Sequence, residues 1–165
     1  MRCVVDYYIK FGSTVNLCAL DISKAFGKMN HYGLFVKLMK KLVPVNLLRI
    51  LETWFAIRST CVKWCNFFSR SFVLSYGVRQ GGVLSPYLFA LYINSIFDKV
   101  ERCNFGCSLK WFCLSIILYA DDILLLAPTV SSLQQLLHIC EVELAWLDMS
   151  INVKKIVVYS CRSSL

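Results

Sequence analysis

Short apolar runs alternate with amphipathic stretches along this chain. Residues 15–20 are apolar, of strand length, and end on Asp21, which predicts a buried strand. Residues 34–42 have helical spacing, with Lys37, Lys40 and Lys41 on the polar side. Pro44 stops that helix and starts a second through about Ile57, with Leu47, Leu48, Leu51 and Trp54 facing inward. Residues 60–67 and 70–76 read as a hairpin that turns near Phe68-Ser69. Ser85-Pro86 is a helix start, an N-cap oxygen followed by proline at the first helical position. That helix should run to about Val100, with Leu88, Leu91, Tyr92 and Ser95 along one side. A connection over 104–110 leads to a tight hairpin of 112–119 and 123–127, entered from Trp111 and closed by Pro128. Thr129 or Ser131 then caps a helix to about Asp148, with Leu133, Leu136, Leu137, Cys140, Leu144 and Leu147 as its stripe. Residues 151–159 make a last strand, with Lys154 and Lys155 near its start.

With the 60–76 hairpin and one helix set aside as insertions, the order is β-α-β-β-α-β. That is the α+β, ferredoxin-like layout, an antiparallel sheet with helices on one face. Its first strand lies beside the central hairpin, so Asp21 should converge with Asp121 and Asp122 at the hairpin turn. Adjacent strand residues point to opposite faces. One of the two aspartates should therefore act fully and the other in part.

Composition narrows this picture. Hydrophobic residues are 58% of the chain, high for a free-standing domain, yet no apolar run reaches the roughly 18–20 residues that span a bilayer. The expectation is one domain over 1–165, without a membrane role, whose apolar faces are covered by missing neighbours. Residues 1–10 do not read as a signal peptide. Nine cysteines, an odd number, read as reduced thiols of an intracellular protein, nuclear or cytoplasmic. The pairs Cys61/Cys65 and Cys103/Cys107 raise a zinc site only as a loose spacing match. Through Arg79 there are twelve Lys/Arg against three acids, and beyond it six against seven. The first half suits a polyanion or an ordinary solvated basic face; the second carries the carboxylates.

The chemistry centres on Tyr119-Ala120-Asp121-Asp122, two adjacent carboxylates between apolar runs. Such a pair calls for a compensating charge, and hard oxygen ligands favour magnesium or manganese; a capped, exposed turn is the plainer reading. The glycine-rich segment 77–86 leads into a helix start, a place for phosphate or a structural tight turn. His138 reads as a surface or packed histidine. Convergent carboxylates, a phosphate-compatible loop and a basic half together fit two-metal phosphoryl transfer.

Four segments resemble a known family. Leu20-Asp21-Ile22-Ser23-Lys24-Ala25-Phe26, Gly77-Val78-Arg79-Gln80-Gly81-Gly82-Val83-Leu84-Ser85-Pro86, Tyr119-Ala120-Asp121-Asp122 and Asn152-Val153-Lys154-Lys155 occur in the order and spacing of motifs A to D of reverse transcriptases. The resemblance is to the non-LTR (LINE-type) retrotransposon enzymes. It implies a polymerase palm with an inserted hairpin and some fingers material, most of the fingers and all of the thumb lying outside the chain. It implies an RNA template, a DNA primer, a deoxynucleoside triphosphate and two Mg2+ ions, with Mn2+ the alternative. By position, Asp21 and Asp121 resemble the metal-bridging carboxylates and Asp122 the auxiliary third. Phe26 resembles the aromatic gate against a ribose 2′-OH, the alternative being plain packing. Arg79, Gln80 and Gly81 match the segment against nucleotide and template. Tyr119 falls near the primer terminus. Lys155, ahead of Lys154, matches the lysine that protonates departing pyrophosphate. Gly27 departs from the family, which usually has an aspartate there. Fusion to fingers, thumb and an endonuclease is expected. The rival readings are an inactive retroelement remnant that at most binds RNA, and a nucleotide cyclase, which lacks its Gly-Gly-Asp/Glu-Glu-Phe run.

Overall fold

The computed structural model describes residues 2–109 and 112–162. Lys110, which ends the expected connection, and Trp111 lie outside the described residues. The chain starts with α1 (Arg2–Lys10), β1 (Val15–Asp21), α2 (Ala25–Lys28), α3 (His31–Lys40) and α4 (Val45–Ala56). Four two-residue strands follow: β2 (Ser59–Thr60), β3 (Lys63–Trp64), β4 (Phe67–Phe68) and β5 (Phe72–Val73). Then come α5 (Ser85–Arg102), β6 (Cys107–Leu109), β7 (Phe112–Leu114), β8 (Ile116–Tyr119), β9 (Asp122–Ala127) and α6 (Val130–Trp146). A 3-10 turn (Val153–Lys155) and β10 (Val157–Cys161) complete the described chain. These elements group into two units, one of residues to Ala25 and from Ile93 onward, the other Phe26–Tyr92.

The first unit is built on a four-stranded sheet in the order β10-β1-β9-β8, antiparallel throughout. This is the strand order expected of a ferredoxin-like palm. The alternation of β1 assigns its two faces. Asn16, Cys18 and Leu20 lie opposite Ala127, Leu125 and Ile123, and all six are buried. α6 packs on β1 and β9, burying Leu133, Leu136, Cys140 and Leu144. Thr129 caps α6, its hydroxyl accepting from Ser132 N at 3.1 Å. Each fully buried leucine contributes roughly 1.5–3 kcal/mol, so this stripe anchors the helix.

The opposite face is not bare. Val15 and Leu126 are buried there with Val4 of α1 and Cys107 of β6, beside Val5, Tyr8, Leu17 and Leu124. The Tyr8 hydroxyl donates to Ser108 O and accepts from Ser108 N, tying α1 to β6. α1, outside the βαββαβ core, and the β6–β7 hairpin thus cover the second face, and the hairpin replaces the plain connection expected over 104–110. The expected strand 112–119 is also interrupted, at buried Ser115, whose carbonyl accepts from Leu126 N at 2.9 Å. Both cover the Val15 end of the face and leave the Asp21 end accessible.

In the second unit, Asn30 caps α3 by accepting from Gly33 N at 3.2 Å. The inward residue of α4 is Phe55, against His31, Phe35 and Trp54. Leu47 is exposed, while Leu48, Leu51 and Trp54 are half-buried, which corrects the expected stripe. The Arg58 guanidinium lies 5.2 Å from the ring centroids of both Trp54 and Phe55. The hairpin turns at Cys65-Asn66 rather than Phe68-Ser69, and it splits into β2–β5 and β3–β4 ladders. Cys65 supplies the positive φ, +51°, that so short a turn requires. Ser85 falls inside α5 and its hydroxyl donates to Arg79 O at 2.6 Å, so it ties down the glycine loop instead of accepting as an N-cap.

Candidate active site

The sheet register places three sequence-selected residues in one row on one face, and a fourth reaches them by its side chain. Tyr119 on β8 is the direct partner of Asp122 on β9, and Asp122 is the direct partner of Asp21 on β1. Directly opposed residues share a face. Lys155 is the fourth, its Nζ donating to Asp21 Oδ1 at 3.0 Å. This places Lys155 on a 3-10 turn and not on the expected strand; β10 begins only at Val157.

The cross-strand partner of Asp21 is Asp122, and Asp121 lies one position before it. The reason is local. Ala120-Asp121 is a two-residue turn, with Ala120 at φ +52°, so Asp121 sits in the turn itself. Its carbonyl still reaches β1, accepting from Ile22 N at 3.1 Å. A left-handed alanine costs roughly 1–2 kcal/mol, strain that the adjoining ladder holds in place. Asp21 and Asp121 are half-buried, and Asp122 and Tyr119 exposed.

Asn152, in the fourth motif, has a part at the site that the sequence does not predict. Its Nδ2 donates to Asp21 Oδ2 at 3.0 Å and its backbone N to Asp21 O at 2.8 Å. The hydrogen bond from Lys155, then that from Asn152, holds the Asp21 carboxyl below its ordinary value against the opposing pull of burial. The hydrogen bond to Asp21 and its charge raise the Lys155 ammonium, and the charges of Asp121 and Asp122 add to this. Lys155 therefore reports all three carboxylates. Among the described residues no three His, Cys, Asp or Glu side chains gather closely enough to hold a metal ion, the two cysteine pairs included. His138 is exposed, 3.9 Å from Glu141.

The other selected residues belong to the second unit. Phe26 is half-buried with its ring centroid 4.8 Å from that of buried Phe89, so packing engages one side of it. Gly77 is required twice over: its φ is +77°, and a Cβ would lie 2.8 Å from both Phe26 O and Gly27 O. It is pinned by Gly77 N donating to Met29 O and by His31 Nε2 at 2.7 Å from Gly77 O. Arg79, Gln80 and Gly81 are exposed, Gly81 at φ +82° in open space. Gly82 N and the Ser85 hydroxyl both donate to Arg79 O, which fixes the loop without engaging the side chains of Arg79 and Gln80.

The family model described as reverse transcriptase (RNA-dependent DNA polymerase) matches residues 7–164. The chain belongs to the reverse transcriptase family. Within it, it is a domain of the non-LTR retrotransposon kind. It is similar to the Pol polyprotein of the type-2 retrotransposable element R2DM of Drosophila melanogaster, 30% identical over 121 residues, covering 72% of this chain and 11% of that protein. It is likewise similar to the 149 kDa protein of transposon TX1 of Xenopus laevis, 27% identical over 157 residues, 94% of this chain and 12% of that one. The reverse transcriptase domain thus spans about a ninth of the curated relatives it matches. Apo telomerase from Candida tropicalis shares the fold, with TM-score 0.74 and 15% identity over 99% of this chain and 34% of that one. Telomerase from Candida albicans, in complex with a fragment of telomeric RNA, aligns with TM-score 0.75 and 15% identity over 96% of this chain and 29% of that one. No helix of the described residues is long and apolar enough to cross a membrane.

Proposed function

We propose that this reverse transcriptase domain is the catalytic palm of an RNA-directed DNA polymerase acting in retrotransposition, adding deoxynucleotides to a primer 3′-OH on an RNA template. The observation that supports it best is the direct pairing of Asp21 with Asp122, with Asp121 in the adjoining turn. Three carboxylates at one end of the sheet supply the hard oxygen donors that suit magnesium or manganese, and Lys155 already places a cation against one of them. By the resemblance, Asp21, Asp121 and Asp122 are the residues that would hold two divalent ions, their side chains drawing together from the wider spacing they have here. Such ions lower the pKa of an attacking hydroxyl and neutralise the phosphates of the leaving group.

The remaining roles follow the resemblance by position. Tyr119, exposed beside Asp122, borders the primer terminus. Phe26 limits the sugar to one without a 2′-OH. Gln80 and Gly81 lie against nucleotide and template, with Arg79 adding charge. Lys155 carries a proton for the departing pyrophosphate, a role consistent with an ammonium kept protonated by its neighbours. The chain would work inside a longer polyprotein with fingers, thumb and an endonuclease, in an intracellular, reducing setting.

The test is primer extension on an RNA template by this chain carried within complete fingers and thumb. Extension that depends on magnesium and is lost in Asp21→Asn supports the reading. Activity that persists in Asp121→Ala sinks the assigned carboxylate roles. Salt-sensitive RNA binding with no extension would instead identify a remnant that only binds RNA.

A further inference from the structure

We infer that Lys155 is a tethered cation that holds the place of a divalent ion at Asp21, and that Asn152 is the positioning residue that keeps the Asp21 carboxylate aimed while the two cations exchange. The inference rests on the reading of Asp21 as a metal ligand and adds what its neighbours do.

The two oxygens of Asp21 are taken by donors of different kinds. Oδ1 receives Lys155 Nζ, and Oδ2 receives Asn152 Nδ2, each at 3.0 Å. Asn152 is half-buried, and its own backbone N donates to Asp21 O at 2.8 Å. On either side of it, Ser23 N donates to Ser150 O and Lys155 N to Asn152 O. The backbone that carries the amide is therefore tied to the end of β1. Lys155 is different: its side chain is largely exposed and its ammonium ends a flexible four-carbon stem. It can swing into water at small cost, because an exposed ion pair contributes little.

A divalent ion on Asp21 would meet the same three charges that Lys155 meets, those of Asp21, Asp121 and Asp122. An ammonium and a metal ion repel and cannot share Oδ1. Each ion that enters displaces the lysine and frees its ammonium for other work at the site. No bond is made or broken beyond this exchange of cations on one oxygen.

The two neighbours should therefore act on metal affinity with opposite signs. The probe is Mn2+ alone, titrated by electron paramagnetic resonance against the full chain, without primer or nucleotide. Lys155→Met should bind Mn2+ about two- to fivefold more tightly, the range of an exposed ion pair removed. Lys155→Arg should match the parent, and Lys154→Met, the neighbouring exposed lysine, should change nothing. Asn152→Ala should bind about tenfold more weakly, as metal sites do when a ligand loses its hydrogen-bonded support. On the unsubstituted chain, Mg2+ should shift the NMR signal of the Lys155 ε-methylene as the ammonium leaves Asp21, a readout that needs no variant to fold. Asp21→Asn decides which reading fails. If it leaves Mn2+ binding unchanged, the metal reading falls and this inference with it. If it removes the binding while Lys155→Met weakens or preserves affinity, or while Mg2+ leaves the Lys155 signal in place, the inference alone is overturned.

Discussion

Lys155 Nζ lies 3.0 Å from Asp21 Oδ1, although 134 positions separate the two residues in the chain. The contact exists because β10 and β9 flank β1, so the turn before β10 is delivered to the end of β1 where Asp122 also arrives. A lysine, an asparagine and three aspartates thereby share one end of one sheet.

Asp21 should titrate below the ordinary aspartate range of about 3.9. Because its folded value is lowered, the stability it carries is present above the unfolded value and is lost as pH falls through the folded one. Carboxyl 13C titration should show Lys155→Met moving Asp21 upward, with Asn152→Ala moving it less. In urea unfolding, the difference between parent and Lys155→Met should be constant near neutrality and shrink below about pH 4. An unmoved Asp21 in Lys155→Met would refute the assigned cause.

Gly77 and Gly81 both have positive φ but differ in surroundings. Gly81→Ala meets open space and should cost only the left-handed penalty, about 1–2 kcal/mol. Gly77→Ala adds a backbone clash with Phe26 O and Gly27 O and should cost more, above about 3 kcal/mol. Urea midpoints of the two variants check the order; equal losses would remove the close approach as the reason for glycine at 77.

Glu143 is buried on α6 and receives Lys99 of α5, which is mostly exposed. Removing only the lysine leaves a buried carboxylate without its partner. Lys99→Met should destabilise by about 1–3 kcal/mol, while the double variant Lys99→Met, Glu143→Leu should recover much of that loss. A double-mutant cycle by thermal unfolding measures the coupling, and additive losses would show that the pair is not coupled.

Phe26→Val tests the sugar gate inside the longer, active protein. Its ring packs on Phe89 from one side, so the substitution trims that contact as well. Ribonucleotide incorporation should rise relative to deoxynucleotide in single-nucleotide kinetics. Unchanged discrimination would leave Phe26 as a packing partner of Phe89.

Much of this was legible in the chain alone. The apolar run ending at Asp21 became β1, Leu133, Leu136, Cys140 and Leu144 of the expected stripe became the buried side of α6, and the order of elements led to the observed sheet. These are local patterns, set by hydrophobic period and by chain breakers such as Pro44 and Pro128. The motifs also named the family, since four spaced segments constrain far more than any one of them. Tertiary structure alone decided the rest. Register set Asp122, not Asp121, opposite Asp21, because a two-residue turn takes Ala120 and Asp121 out of the ladder. Strand order carried Asn152 and Lys155 to the same carboxylate. The role of Asn152 could not be read in advance: an asparagine among surface residues has no hydrophobic period to betray it, and its partner lies 131 positions away. Sequence determined which residue types were available to the site; long-range pairing determined which oxygen each of them holds.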